Sequence, residues 1–465
     1  MPQAVRSAAE QRQGDQAHRR IVAGFGGEYR DARVSAHVDG IGRRLAAVTE
    51  QPGAPWTFTV LDSPTINAFA IPGGYVYVTR GLLGLAGDEA QLAGVIGHEM
   101  GHVVAGHSSL RRDRAATASL GLLAGVLGLG MLGLDPNAAG ALLDVGQAAA
   151  GGYLAAHSRG DEIEADRLGI VYLARAGYDP FAQAEFLDRL RAWQELQARI
   201  AGQGYDPNRV DFFSSHPASA ERTRQAIGVA RGAGGFGNER GTGRFLAAID
   251  GIVWGDSARQ GFVRGRTFSH TELGFTFTVP RGFTIRNAAD RVTAAGPQGA
   301  RFVLDAGRDP GGPLTGYIAR VWAPAIARGQ RTGALTGLTG GRINGLDAAR
   351  AVLPVELGGR VYEALLMAVR LDGTVYQSTG IAPRGAGMLG ALEEAGRSFR
   401  RLPAAQAAQL RERRIRVVTA QPGETAEGLA RRMNVEERHA EQFRVLNGLG
   451  PGEPVRAGQQ VKLVQ

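Results

Sequence analysis

The sequence predicts an α+β protein in three parts, on three observations. Residues 89–105 and 157–170 carry apolar positions at helical spacing, with strand-like runs upstream, so residues 1–230 read as a mainly helical domain with a small sheet. After the glycine-rich stretch from Arg231 to Asn238, runs rich in Val, Thr, Tyr and Phe alternate with Gly and Pro turns. This marks a separate α+β domain over residues 240–402. A third, small module occupies residues 413–465. At 465 residues and 44% hydrophobic, the chain is long enough for about three domains, each with its own core.

In chain order, Phe58 to Leu61 and Tyr75 to Thr79 are the first strands, and Pro72-Gly73-Gly74 makes the turn that starts the second. Next comes a helix over Glu89 to Ala105 containing His98-Glu99-Met100-Gly101-His102, an HExxH motif. Residues four apart on a helix lie about 40° apart around its axis, so His98 and His102 face one cation together. Glu99, about 100° round from His98, reaches water beside the metal without binding it. A catalytic zinc needs a third protein ligand. Glu162 and Asp166 stand four apart on the next amphipathic helix. That spacing suits a ligand carboxylate one turn before an Asp that accepts the outer N–H of a ligand histidine. Glu164, about 200° round from Glu162, is the alternative ligand, and Asp161 suits a helix N-terminus without any metal. His107, nine positions from His98, falls about 180° round the helix or beyond its end and is set aside as a ligand.

Four blocks in this order, Asn67-Ala68-Phe69-Ala70-Ile71-Pro72-Gly73-Gly74, HExxH, Glu162 to Asp166, and Ser215-His216-Pro217 with Arg222, resemble the gluzincin metallopeptidases related to the CAAX prenyl endopeptidase and the beta-barrel assembly-enhancing protease. The resemblance covers roughly residues 30 to 230 and implies a zincin-type catalytic domain. It also implies one zinc per chain, held by His98, His102 and Glu162. In the resembling proteases the strand just before the zinc helix lines the cleft and would pair with an extended peptide by β-augmentation, and Asn67, Ala68, Phe69 and Ala70 are the candidate substrate-binding residues. The resemblance brings His216 near the metal, either stabilising the oxyanion or filling the fourth zinc position in a latent enzyme. Arg222 either supports the same oxyanion or braces its loop.

Between the two parts of this site, residues 115–134 are uncharged and long enough for a membrane span, with a GxxxG at Gly121 and Gly125. A single span would put His102 and Glu162 on opposite sides of a bilayer, so the segment reads as a buried or membrane-surface hairpin. The middle domain shows no chemical motif.

The last module carries a second resemblance. Val417-Val418, Pro422-Gly423-Glu424-Thr425, Leu429-Ala430, Leu446-Asn447-Gly448 and Ala457-Gly458-Gln459-Gln460-Val461 resemble a LysM module, a βααβ unit that binds glycans containing N-acetylglucosamine. Ala426 stands where that pattern usually has a larger apolar residue. Peptidoglycan is the partner this resemblance implies, beside a polypeptide substrate and a membrane surface.

The net charge of +9 does not point to nucleic acid, since no such motif is present and the basic residues, almost all arginine, are spread along the chain. Zero cysteines exclude disulfides and a lipidated cysteine in this sequence. No apolar h-region follows Met1 to Arg6, so the expectation is a cytoplasmic protein or an exported one whose signal lies outside this sequence. The LysM-like module favours the periplasm or cell envelope. No 34-residue period suggests helical repeats. The leading expectation is a zinc endopeptidase acting on misfolded or misassembled envelope proteins. The alternatives are a murein peptidase and a non-catalytic chaperone.

Overall fold

A computed structural model describes residues 8–107, 157–200, 220–233, 237–327 and 330–465. It shows mixed helix and sheet in two compact units. The described residues of Met1–Ala115, Gly146–Gly255 and Glu412–Gln465 make the first, and those of Asp256–Arg411 belong to the second. Residues 237–255 and the C-terminal module therefore belong to the first unit, whereas the sequence pattern starts the middle domain at 240 and sets 413–465 apart.

The first unit begins with helices α1 (Ala8–Gly24) and α2 (Ala32–Ala46) and strands β1 (Thr57–Leu61), β2 (Ala68–Ile71) and β3 (Tyr75–Thr79). The sheet order is β1-β3-β2, with β1 parallel and β2 antiparallel to β3. Gly73 and Gly74, at φ 95 and 75, turn β2 into β3. Along β2 the side chains alternate. Phe69 and Ile71 pack in a cluster with Ile21 and Phe25, while Ala68 and Ala70 join the main core with Val95, Ile96 and Met100.

Next come α3 (Arg80–Leu85), α4 (Glu89–Val104), α5 (Arg159–Arg175), α6 (Ala182–Ile200), α7 (Ala220–Gly232) and α8 (Thr242–Ile249). Asp88 caps α4, its carboxylate accepting from the Gln91 amide at 2.8 Å. Ser158 and Asp161 form a capping box at the start of α5, which accounts for Asp161 without metal. Glycines let α4 and α5 approach backbone to backbone. A Cβ on Gly97 would stand 3.3 Å from the Gly169 backbone, one on Gly169 2.8 Å from the His98 amide nitrogen, and one on Gly101 3.1 Å from the Ala165 carbonyl. This closeness lets carboxylates on α5 reach imidazoles on α4. No described helix is long and apolar enough to cross a membrane, and residues 115–134 lie outside the described residues.

The unit closes with β4 (Val253–Trp254), β5 (Arg413–Thr419), α9 (Ala426–Ala430), α10 (His439–Asn447) and β6 (Gln460–Val464). The element order of residues 413–465 is βααβ, with β5 and β6 antiparallel and β4 added on the other side of β5. Asn447 ties α10 to β6: its side-chain amide donates to the Lys462 carbonyl at 3.0 Å, and its oxygen accepts from the Lys462 amide at 2.7 Å. Lys462 is buried, and its ammonium donates to the carbonyls of Gly84, Leu85 and Ala86 at 2.7, 3.2 and 2.6 Å. These are carbonyls at the C-terminal end of α3, where a cation is favoured. Burial, and then the nearby Arg189, hold its pKa well below the ordinary lysine value.

In the second unit an eight-stranded antiparallel sheet, from Arg331–Thr332 to Thr284–Asn287, has helices over both faces. Leu365, Met367 and Val369 pack with Leu392 and Ala395 of one helix. Ala364, Leu366 and Ala368 pack with Ile318 and Trp322 on the opposite face. Burial of both faces explains why this strand reads as a continuous apolar run.

Candidate metal centre

His98, Glu99 and His102 on α4 are all buried, as are Glu162 and Asp166 on α5. The Nε2 atoms of His98 and His102 stand 3.0 Å apart. Glu162 faces both, with Oε2 3.6 Å from His98 Nε2 and Oε1 3.3 Å from His102 Nε2. Asp166 Oδ1 lies 2.9 Å from His98 Nδ1, which keeps that nitrogen protonated and leaves the lone pair on Nε2. Imidazole lone pairs and a carboxylate converging in a buried space make a strongly electronegative cradle, and two imidazoles with one carboxylate are a zinc donor set. The residues present thus fit the metal, and they are the three that the sequence pattern assigns. Glu164, the alternative, is exposed and directs its carboxylate to His107.

Arg222, on α7, is also buried. Its Nε donates to Asp166 Oδ2 and its Nη2 to Asp166 Oδ1, both at 2.8 Å, while Nη1 lies 2.8 Å from Glu162 Oε2. The Gln183 amide also donates to Asp166 Oδ1 at 2.8 Å. Of the two roles left open for Arg222, oxyanion support or bracing, these contacts favour bracing, of the α5 carboxylates. Burial alone would raise the pKa of Asp166, but the Arg222 charge and then His98 outweigh it and hold the carboxyl below its ordinary value.

Glu99 is pushed up to about 8, first by burial and then by the negative charge of Glu162, while His98 and a hydrogen bond from the Ala70 backbone pull the other way. A divalent cation on Glu162 would offset that repulsion. The Ala70 bond places the general-base candidate beside β2, an edge strand among the described residues. Asn67, Ala68, Phe69 and Ala70, on and just before that strand, are all buried. His216 lies outside the described residues.

Three residues near the centre escaped the sequence pattern. Gln183 carries no motif. His107 and His157 lie beside His102, with His107 Nδ1 2.9 Å from His102 Nδ1 and the His157 ring stacked at 3.7 Å. His107 lies past the end of α4, the second of the two placements expected, because the helix stops at Val104 and Gly106, at φ 72, turns the chain back. A glycine between the two histidines was the available signal.

Comparison with known proteins agrees with this geometry. Residues 32–229 match the model of peptidase family M48. The beta-barrel assembly-enhancing protease of Escherichia coli K12 is 32% identical over 205 residues, covering 42% of this chain and 39% of that protein. The Yersinia pestis protein of the same name is 33% identical over 161 residues, covering 34% and 33%. The mitochondrial metalloendopeptidase OMA1 of Schizosaccharomyces pombe is 29% identical over 220 residues, covering 46% and 59%. The chain thus spans between a third and three fifths of the length of these relatives. Residues 32–229 are thus similar to the metallopeptidases of peptidase family M48.

Proposed function

We propose that this chain is a zinc-dependent endopeptidase that hydrolyses misfolded or misassembled cell-envelope proteins. The observation that carries the reading is the convergence of His98 Nε2, His102 Nε2 and the Glu162 carboxylate within 3.6 Å of one another on a buried surface that also holds Glu99. Zinc, when bound there, supplies Lewis-acid polarisation of the scissile carbonyl and makes water acidic enough to ionise near neutral pH. Glu99 accepts the proton from the attacking water and returns it to the leaving amine. An extended substrate adds to the edge of β2 through main-chain hydrogen bonds, which select for unfolded segments rather than for one side chain. Asp166 and Arg222 keep the ligands oriented. The envelope setting is supported by the names of the bacterial relatives. Glycan binding by residues 413–465 is supported by their motif residues and βααβ order.

The test is to incubate the full chain with casein and, separately, with purified peptidoglycan sacculi, with and without 1,10-phenanthroline. Chelator-sensitive cleavage of casein and intact sacculi are expected. Release of muropeptides with casein untouched would establish the murein peptidase instead.

A further inference from the structure

We propose that His107 is a positioning residue, the middle of a relay from His102 to Glu164 that holds the second zinc-ligand imidazole in place. The proposal rests on the zinc reading above. If His102 presents Nε2 to a metal, the one proton of its neutral ring sits on Nδ1. That Nδ1–H points at His107 Nδ1, 2.9 Å away, so His102 donates and His107 accepts. The remaining proton of His107 is then on Nε2, which faces Glu164 Oε2 at 3.4 Å, with Asp161 Oδ1 at 4.0 Å. His107 is buried, while Glu164 is half-exposed.

The arrangement completes a symmetry of roles at the centre. His98 has its outer nitrogen held by the Asp166 carboxylate, and His102 has its outer nitrogen held by a second imidazole. Stacking of His157 on the face of the His102 ring, at an interplanar angle of 23°, restricts the motion that the edge contact with His107 leaves open. The relay draws on the turn after α4 and on α5, so it forms only when these segments fold together. It also gives Glu164 a role as the far end of the relay. An outer hydrogen bond fixes the tautomer and orientation of a ligand histidine, and losing such a partner typically weakens metal binding about 10–100-fold.

The experiment measures the zinc dissociation constant by competition with a chromogenic chelator, and the visible spectrum of the cobalt-substituted protein, for wild type, His107→Leu and His107→Asn. Asparagine places Oδ1 where Nδ1 stood and still accepts from His102. His107→Leu is expected to weaken zinc about 10–100-fold and alter the cobalt spectrum, with His107→Asn within about threefold of wild type. Wild-type affinity in His107→Leu, or equal loss in both variants, overturns the relay. If His107→Leu does not fold, Glu164→Ala decides: a few-fold weakening supports the relay, and an unchanged constant overturns it. A wild-type chain that takes up no zinc would instead overturn the peptidase reading, and the relay with it.

Discussion

Replacing Arg222 by Met is expected to destabilise the metal-free protein by about 3–5 kcal/mol, the cost of removing one partner from a buried ion pair. Arg222, Asp166 and Glu162 are 3, 5 and 1% exposed, so water cannot take over the lost hydrogen bonds. Met preserves length and apolar volume, so packing changes little while two carboxylates lose the Arg222 guanidinium. Asp166 would keep the Gln183 amide and His98, neither a permanent cation. Equilibrium unfolding in urea after chelation measures the effect. A loss under about 1 kcal/mol would contradict the bracing role. Arg224, two residues on and paired with Glu221 at the surface, is the control, because its loss should barely register.

Deletion of Glu412–Gln465 is expected to abolish cooperative folding of the peptidase unit, not merely to remove a tether. Ile415, Leu429, Phe443, Leu446 and Leu463 belong to the same continuous core as Leu92, Ile96 and Phe186. Fully burying such side chains contributes about 1.5–3 kcal/mol each, against a total stability of about 5–15 kcal/mol. Deletion also removes the Lys462 ammonium from the α3 carbonyls and leaves the Leu85 carbonyl to Arg189 alone. It takes β5 from β4 as well, where the Ile415 amide donates to the Ile252 carbonyl. The point variant Lys462→Glu should act in the same direction by setting a carboxylate against three carbonyl oxygens. Circular dichroism and thermal unfolding of residues 1–411 give the answer. A fragment that melts cooperatively at the full-length temperature would mean that the module is a dispensable appendage.

What the sequence disclosed follows physical range. That His98 and His102 share one helix face, and Glu162 and Asp166 another, was legible because helical spacing decides which side chains share a face; spacing left Glu162 and Glu164 open as the ligand. The turn at Pro72 to Gly74 was legible from its local chemistry. His107 was not, because its position depends on where α4 stops and on Gly106 turning the chain back, and periodicity carries no information past a helix end. Arg222 was singled out with its role left open between oxyanion support and bracing, since nothing local says that a residue on α7 forks onto Asp166. The βααβ order at the C-terminus was foreseen, but its membership in the peptidase core is a tertiary fact. One trace of it was visible: Lys462 is the single lysine among 53 basic residues, and it is buried.

The central claim is that Glu99 moves the proton while His98, His102 and Glu162 hold zinc. It is tested most directly by measuring zinc content and casein hydrolysis on the same preparations of wild type and Glu99→Gln. The expected result is one zinc per chain in both, with hydrolysis in the variant reduced about 10²–10⁴-fold, the usual contribution of a positioned general base. Full-rate cleavage by Glu99→Gln, or a wild type that cleaves without zinc, would contradict it.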